Sequence, residues 1–117
     1  MQVLIIEDEP RAANQLQNML KLCNFQYHLL DVLDSVEDVV LWFNSNESPD
    51  LVFMDIQLAD GLSFEIFHKT SVDAPIIFTT AFDQYAIQAF KVNSVDYLLK
   101  PIQQEDLNRA LDKFLRT

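Results

Sequence analysis

Four short apolar runs in this sequence end on side chains that can do chemistry. Leu4-Ile5-Ile6 leads into Glu7 and Asp8, Phe53-Met54 into Asp55, Ile76 to Phe78 into Thr79 and Thr80, and Leu98-Leu99 into Lys100 and Pro101. Carboxylates gathered within a few ångströms resist joint ionisation and raise one another's pKa values unless a cation is present. A hard divalent ion such as Mg²⁺ resolves that repulsion, because it prefers oxygen ligands, keeps several waters and uses only one or two protein carboxylates. A hydroxyl and an ammonium facing the acids complete what phosphoryl transfer onto a carboxylate needs: a nucleophile, charge neutralisation, and donors that hold the product. Asp55 is the natural acceptor, since it stands alone at its strand end.

Each residue taken singly has a plainer reading. A Glu-Asp pair after a strand often begins a solvated helix, a lysine is usually a surface charge, and a threonine after a strand often caps the next helix. The combination carries the weight, because four strand ends out of five bear mutually compatible groups. Other polar residues are set aside: His28 and His68 lack metal-ligand spacing, Cys23 reads as a core residue of the first helix, and Trp42 and Phe43 as the core face of the second.

The elements that must position these groups follow from hydrophobic periodicity. The runs Val3 to Ile6, Leu51 to Met54, Ile76 to Phe78 and Val95 to Leu99 lack clean alternation, as strands buried on both faces of a parallel sheet do. A weaker strand is expected from Tyr27 to Leu33. Between them lie helical repeats. Pro10 suits a first helical turn before Ala13, Leu16, Leu20 and Cys23. Ser35 and Asp38 resemble a capping box opening Val36 to Phe43. Leu62 and Ile66 mark a helix from Leu62 to Lys69, and Asp83 a cap for a helix carrying Ala86, Ile87 and Phe90. Leu107, Ala110, Leu111, Phe114 and Leu115 form the apolar face of the last. The order (βα)₅ predicts an α/β, flavodoxin-like, doubly wound sheet of five parallel strands in the order 2-1-3-4-5. In such sheets ligands bind beyond the carboxyl ends of the strands where the order reverses, which here brings Glu7, Asp8 and Asp55 together.

Composition narrows the function. With 117 residues and half of them apolar, the chain makes one domain, without a linker or repeat. A net charge of −10 opposes direct binding to nucleic acid or to anionic lipid. The longest apolar runs fall far short of the roughly 20 residues that span a bilayer, and no secretory signal opens the chain. The single cysteine excludes an internal disulfide framework, and a cytoplasmic location is expected.

The stretches Leu4-Ile5-Ile6-Glu7-Asp8-Glu9, Phe53-Met54-Asp55-Ile56, Phe78-Thr79-Thr80-Ala81 and Tyr97-Leu98-Leu99-Lys100-Pro101 resemble, in order and over the whole chain, the receiver domain of bacterial response regulators. The resemblance implies Asp55 as phosphoacceptor and Asp8 as Mg²⁺ ligand, with Glu7 acting through water and Gln57 lending its backbone carbonyl. It also implies that Lys100 pairs with the phosphoryl group, that Thr80, followed by the small Ala81, is the switch hydroxyl, and that Tyr97 is the aromatic that moves with it. The Lys100-Pro101 bond is expected to be cis, as only a bond before proline readily is.

The stretches Phe82-Asp83-Gln84-Tyr85-Ala86-Ile87-Gln88-Ala89-Phe90 and Val92-Asn93-Ser94-Val95-Asp96-Tyr97-Leu98-Leu99-Lys100-Pro101 are similar to the LytTR group, whose receiver precedes a C-terminal DNA-binding domain. The implied partners are a cognate sensor histidine kinase and a second copy of the chain, in a phosphorylation-dependent homodimer formed by the fourth helix, fifth strand and fifth helix. DNA would be reached only through a further domain, so the 117 residues are expected to be the N-terminal piece of a longer regulator. The chain is expected to be a phosphoacceptor with self-catalysed phosphorylation and dephosphorylation, not a turnover enzyme.

Departures from the family pattern are Glu7 where many receivers have aspartate, Ala59 where many have proline, and Asn93-Ser94 where many have glycine. Asn93 can adopt left-handed geometry. Gly61 is the lone glycine, against an average of roughly 7%, and the expected site of a positive φ. Gln57 and Phe82 stand at the family's variable positions that tune phosphoryl lifetime. Two alternatives stay open. An aspartyl-phosphate phosphatase or phosphotransferase usually wants a second acid two residues after its nucleophile, where this chain has Gln57; a partner-binding receiver without phosphorylation would not need the acids and Lys100.

Overall fold

The computed structural model describes residues 1–85, 89, 92 and 94–116. Its elements in chain order are β1 (Gln2–Ile6), α1 (Pro10–Leu22), β2 (His28–Leu33), α2 (Val36–Ser45), β3 (Leu51–Asp55), the two-residue strands β4 (Gln57–Leu58) and β5 (Gly61–Leu62), α3 (Ile66–Lys69), β6 (Ile76–Thr80), β7 (Asp96–Leu99) and α4 (Gln104–Leu115). The five long strands pair in parallel in the order β2-β1-β3-β6-β7. With the small β4–β5 hairpin set apart, this is the 2-1-3-4-5 order that the sequence predicts.

The three central strands owe their uninterrupted apolar runs to burial on both faces. Every residue of β3 and β6 is buried, as are Val3 to Ile6 of β1. Alternate residues of β1 serve two cores: Val3 and Ile5 pack with Ala13, Leu16 and Leu20 of α1 and with Leu107, Ala110, Leu111 and Phe114 of α4. Leu4 and Ile6 pack on the opposite side with Val36 and Val39 of α2 and Ile66 of α3. Helices on both faces turn the carboxyl ends of β1, β3, β6 and β7 toward one rim.

Local chemistry sets the helix starts. Pro10 occupies the first turn of α1, where its missing N–H is not needed. Ser35 Oγ accepts from the Asp38 N–H at 3.1 Å, the serine half of the expected capping box. Trp42 and Phe43 pack edge to face and lie partly buried against the second core, and His28 and His68 are exposed. Cys23 closes α1 half-buried against the first core, its thiol directed at the Met19 carbonyl and Asn108 Oδ1. Among the described residues no helix is long and apolar enough to cross a membrane.

Two expectations need correction. Leu62 belongs to β5, because Gly61 turns the chain with φ +145° and the Ser63 N–H closes onto the Ile56 carbonyl at 2.7 Å. The third helix therefore starts only after a 3₁₀ turn over Ser63–Glu65. Leu115 is 56% exposed, since Leu107, Ala110, Leu111 and Phe114 already fill the core-facing stripe of α4. Asp83 opens a 3₁₀ turn, Asp83–Tyr85, and the helix that it is expected to cap falls on residues outside the described ones. The readings placed on Ala86, Ile87, Gln88, Phe90 and Asn93 lie outside the described residues.

Candidate functional site

Main-chain pairing continues one residue beyond the strands and fixes the rim. The Glu7 N–H donates to the Leu33 carbonyl at 2.8 Å, the Ile56 N–H to that of Thr79 at 3.1 Å, and the Lys100 N–H to that of Thr80 at 2.7 Å. Glu7, Asp55 and Lys100 thus leave the sheet at one level. Buried polar side chains are scarce in folded proteins and ask for a reason. Among the described residues they are Glu7, Asp55, Ser63, Thr79 and Thr80, and all but Ser63 stand on this rim.

Lys100 Nζ donates to Glu7 Oε1 at 2.5 Å and to Asp55 Oδ2 at 2.9 Å. The other oxygen of each carboxylate accepts a main-chain N–H, that of Glu9 at 3.2 Å for Glu7 and that of Gln57 at 3.3 Å for Asp55. Asp8, nearer the solvent, completes a triad whose carboxylate oxygens lie within 4.8 Å of one another. Burial pushes the Glu7 carboxyl above its ordinary 4.5; Lys100 pulls it down and Asp55 adds to the rise. Burial also raises the Asp8 carboxyl above 3.8, with Glu7 contributing to the rise. Burial alone would lower the Lys100 ammonium, yet its bonds to Glu7 and Asp55 hold it above 10.5. Three converging carboxylates, two of them at the end of buried strands and two (Glu7 and Asp8) held above their ordinary values, fit a hard divalent cation such as Mg²⁺.

The threonine and tyrosine lie on the β6–β7 side. Thr80 is fully buried, and its Oγ1 accepts the Phe82 N–H at 3.3 Å. Tyr97, paired with Phe78 across β6–β7, donates its phenol proton to the Phe82 carbonyl. Burial raises that phenol's pKa, and the Tyr85 main-chain N–H acts against the rise. Ala81 is exposed beside Thr80, and the Lys100-Pro101 peptide is cis. A cleft of about 420 Å³ opens between α1 and the ends of β6 and β7, lined by Glu7, Arg11, Met19, Thr79, Ala81 and Lys100 among others.

The structure therefore gathers Glu7, Asp8, Asp55 and Lys100 into one cluster and sets Thr80 and Tyr97 around Phe82. It also reveals two residues that the motifs leave without a role. Tyr85 OH accepts from Gln57 Nε2 at 3.2 Å. Asp60, at the tip of the β4–β5 hairpin, accepts the Val36 N–H at 2.7 Å and the Glu37 N–H at 3.1 Å, tying the hairpin to the start of α2. Asp60-Gly61 signals a turn in sequence, but no local pattern points to a helix 24 residues earlier.

Comparison with known proteins agrees with this architecture. The response regulator receiver domain family matches residues 3–112. The sensory transduction protein LytT of Bacillus anthracis is 38% identical over 117 residues, covering 97% of this chain and 47% of its own length. The transcriptional regulatory protein LytR of Staphylococcus aureus (strain N315) is 35% identical over 120 residues, covering all of this chain and 48% of its own. The chain thus spans about half the length of the curated relatives it matches. The response regulatory domain of protein mrkE from Klebsiella pneumoniae superposes with a TM-score of 0.84 at 29% identity, over 99% of this chain and 96% of that one. A parallel sheet in the order expected, an acid cluster bridged by a lysine at its rim and a family match over nearly the full length agree, and the chain belongs to the response regulator receiver domain family.

Proposed function

We propose that this receiver is a phosphorylation switch in which Asp55 takes a phosphoryl group from a phosphohistidine of a cognate sensor histidine kinase. The observation that carries the reading is the Lys100 bridge between Glu7 and Asp55 within a carboxylate triad. An Asp55 carboxylate oxygen attacks phosphorus, the P–O bond forms as the P–N bond breaks, and the imidazole, already protonated at its other ring nitrogen, takes the P–N electron pair and leaves neutral. Lys100 Nζ, already 2.9 Å from Asp55 Oδ2, neutralises charge on the transferring oxygens. Glu7, Asp8, Asp55 and the Gln57 backbone carbonyl would hold Mg²⁺, which when bound supplies further neutralisation of those oxygens.

The output follows from contacts that only the phosphorylated state makes. The Thr80 hydroxyl exchanges its bond with the Phe82 N–H for a phosphoryl oxygen, and Tyr97 adjusts beside it. The surface around β7 and α4 changes with them and favours a homodimer. In a full-length cytoplasmic regulator of the LytT or LytR kind, dimerisation would bring two C-terminal DNA-binding domains together. The receiver promotes its own phosphorylation and dephosphorylation but does not turn over substrates.

The test is intact mass after incubation with a small acyl phosphate and Mg²⁺. One phosphoryl adduct, lost in Asp55→Asn and largely lost in Asp8→Ala, is the expected result. Continuous phosphate release from varied substrates would favour a phosphatase, and partner binding without any adduct would favour a phosphorylation-independent module.

A further inference from the structure

Gln57 is bonded on two sides. Its main-chain N–H donates to Asp55 Oδ1 at 3.3 Å, while its carboxamide reaches 28 residues along the chain to Tyr85 OH at 3.2 Å. Tyr85 has two attachments of its own. Its ring stands edge-on to Phe64 with centroids 6.1 Å apart, and Phe64 tilts against the buried Phe78 at 5.5 Å, so the phenol is carried on an aromatic stack rooted in the second core. Its backbone belongs to the Asp83–Tyr85 turn, and Tyr97 donates its phenol proton to the Phe82 carbonyl just ahead of that turn.

Tyr85 therefore touches the Asp55 loop with its side chain, while its backbone belongs to the turn that follows Phe82, the partner of Tyr97. Thr80 approaches the same turn from the buried side, through Phe82. The two routes share no side chain. Turning Asp55 from a carboxylate into an acyl phosphate removes the charge that the Gln57 N–H now meets, so the loop bearing Gln57 is disturbed by the same event that draws on Thr80.

We infer that Tyr85 is a positioning residue: by holding the Gln57 carboxamide it couples the Asp55 loop to the Asp83–Tyr85 turn and biases Tyr97 toward its bond with Phe82, in parallel with Thr80. The inference rests on Asp55 as the phosphoacceptor. One hydrogen bond of ordinary net strength shifts such an equilibrium roughly two- to tenfold.

A double-mutant cycle tests it. Tyr85→Phe keeps the ring on Phe64 and the main-chain N–H and removes only the phenol oxygen; Gln57→Met keeps the backbone carbonyl and removes the carboxamide. The readouts are the ring resonances of ¹³C-labelled tyrosine, of which the chain has three, in the unphosphorylated protein, and the half-life of the adduct formed with the small acyl phosphate. Both variants are expected to move the Tyr97 resonance in one direction, by a population change of roughly two- to tenfold, and to change the adduct half-life by a similar factor. The double variant is expected to do no more than either single one. Additive effects, or a Tyr97 resonance unmoved in Tyr85→Phe, would overturn the coupling while wild-type labelling still stood. Absence of labelling in the wild type would overturn the phosphoacceptor reading and this inference with it. Should Tyr85→Phe fold poorly, Gln57→Met probes the same contact from its other end.

Discussion

Lys100 stands closer to Glu7 than to Asp55, 2.5 Å against 2.9 Å. Its charge is shared between a metal-ligand candidate and the proposed phosphoacceptor, so both carboxylates depend on one ammonium. Replacing it in Lys100→Met leaves two buried acids facing each other. At pH 7 the variant is expected to lose about 1–3 kcal/mol of unfolding free energy in urea titrations, the cost of unpaired buried polar groups. The loss should shrink as pH falls through the raised value of Glu7, where that acid takes up its proton; an equal loss above and below it would show that the ammonium contributes packing alone. On the alkaline side, the stability from the raised Lys100 pKa is present below its ordinary 10.5 and disappears as pH climbs through the raised value.

The metal-free protein is expected to become more stable as it is acidified from neutrality. Glu7 and Asp8 ionise less readily in the fold than in the unfolded chain, so the fold holds more protons between the raised values and the ordinary 4.5 and 3.8. Stability therefore rises as pH falls through the raised values and levels off below the ordinary ones. Thermal melts with a chelator between pH 7 and pH 5 measure the slope, and Mg²⁺ should flatten it. Asp8→Asn should raise the metal-free melting temperature at pH 7 by about 2–6 °C; no rise, with an unchanged slope, would remove Asp8 from the strained cluster.

Two helix-capping variants separate a cap from a tether. Ser35→Ala and Asp60→Ala each remove acceptors from the start of α2 and should cost about 0.5–2 kcal/mol. Only Asp60→Ala also frees the β4–β5 hairpin, so only it should accelerate hydrogen exchange at the Leu58 and Leu62 amides. Despite an opposing burial effect, the Val36 and Glu37 N–H groups hold the Asp60 carboxyl below 3.8. Its stabilisation is thus present above 3.8 and lost as pH falls through the lowered value. Matching exchange rates in the two variants would mean that Asp60 is a cap and nothing more.

Gly61→Ala is expected to cost about 1–3 kcal/mol, seen as a lower urea midpoint. Its φ of +145° suits glycine, and an added Cβ would run into the Glu65 carboxylate, which accepts the Leu62 N–H at 3.1 Å. A midpoint unchanged from wild type would mean that the hairpin refolds around the new side chain.

The parts of this fold that were legible in sequence are those set by burial on two faces. Val3 to Ile6, Leu51 to Met54 and Ile76 to Phe78 announce central parallel strands because neither face meets water, and a polar residue next to such a run can only stand at the rim. Glu7, Asp55 and Thr80 were legible for that reason, whereas Lys100 ends the half-exposed edge strand β7 and was legible from its motif with Pro101. Contacts made across the chain were not. The bonds from Gln57 to Tyr85 and from Asp60 to Val36 join segments 28 and 24 residues apart, and neither leaves a periodic trace. Leu62 was misplaced because apolar spacing cannot tell a helix start from a two-residue strand when Ser63 closes onto Ile56. Leu115 was misplaced because spacing alone does not say how wide a stripe the sheet can cover.

The central strand β3 is enclosed along its whole length, ending at Asp55. A close-packed interior yields little, so the proposed phosphoacceptor is mounted on a strand held firmly on both faces. Under that proposal, a change of charge at Asp55 would be felt first in the rim loops, where Gln57 and Tyr85 already meet.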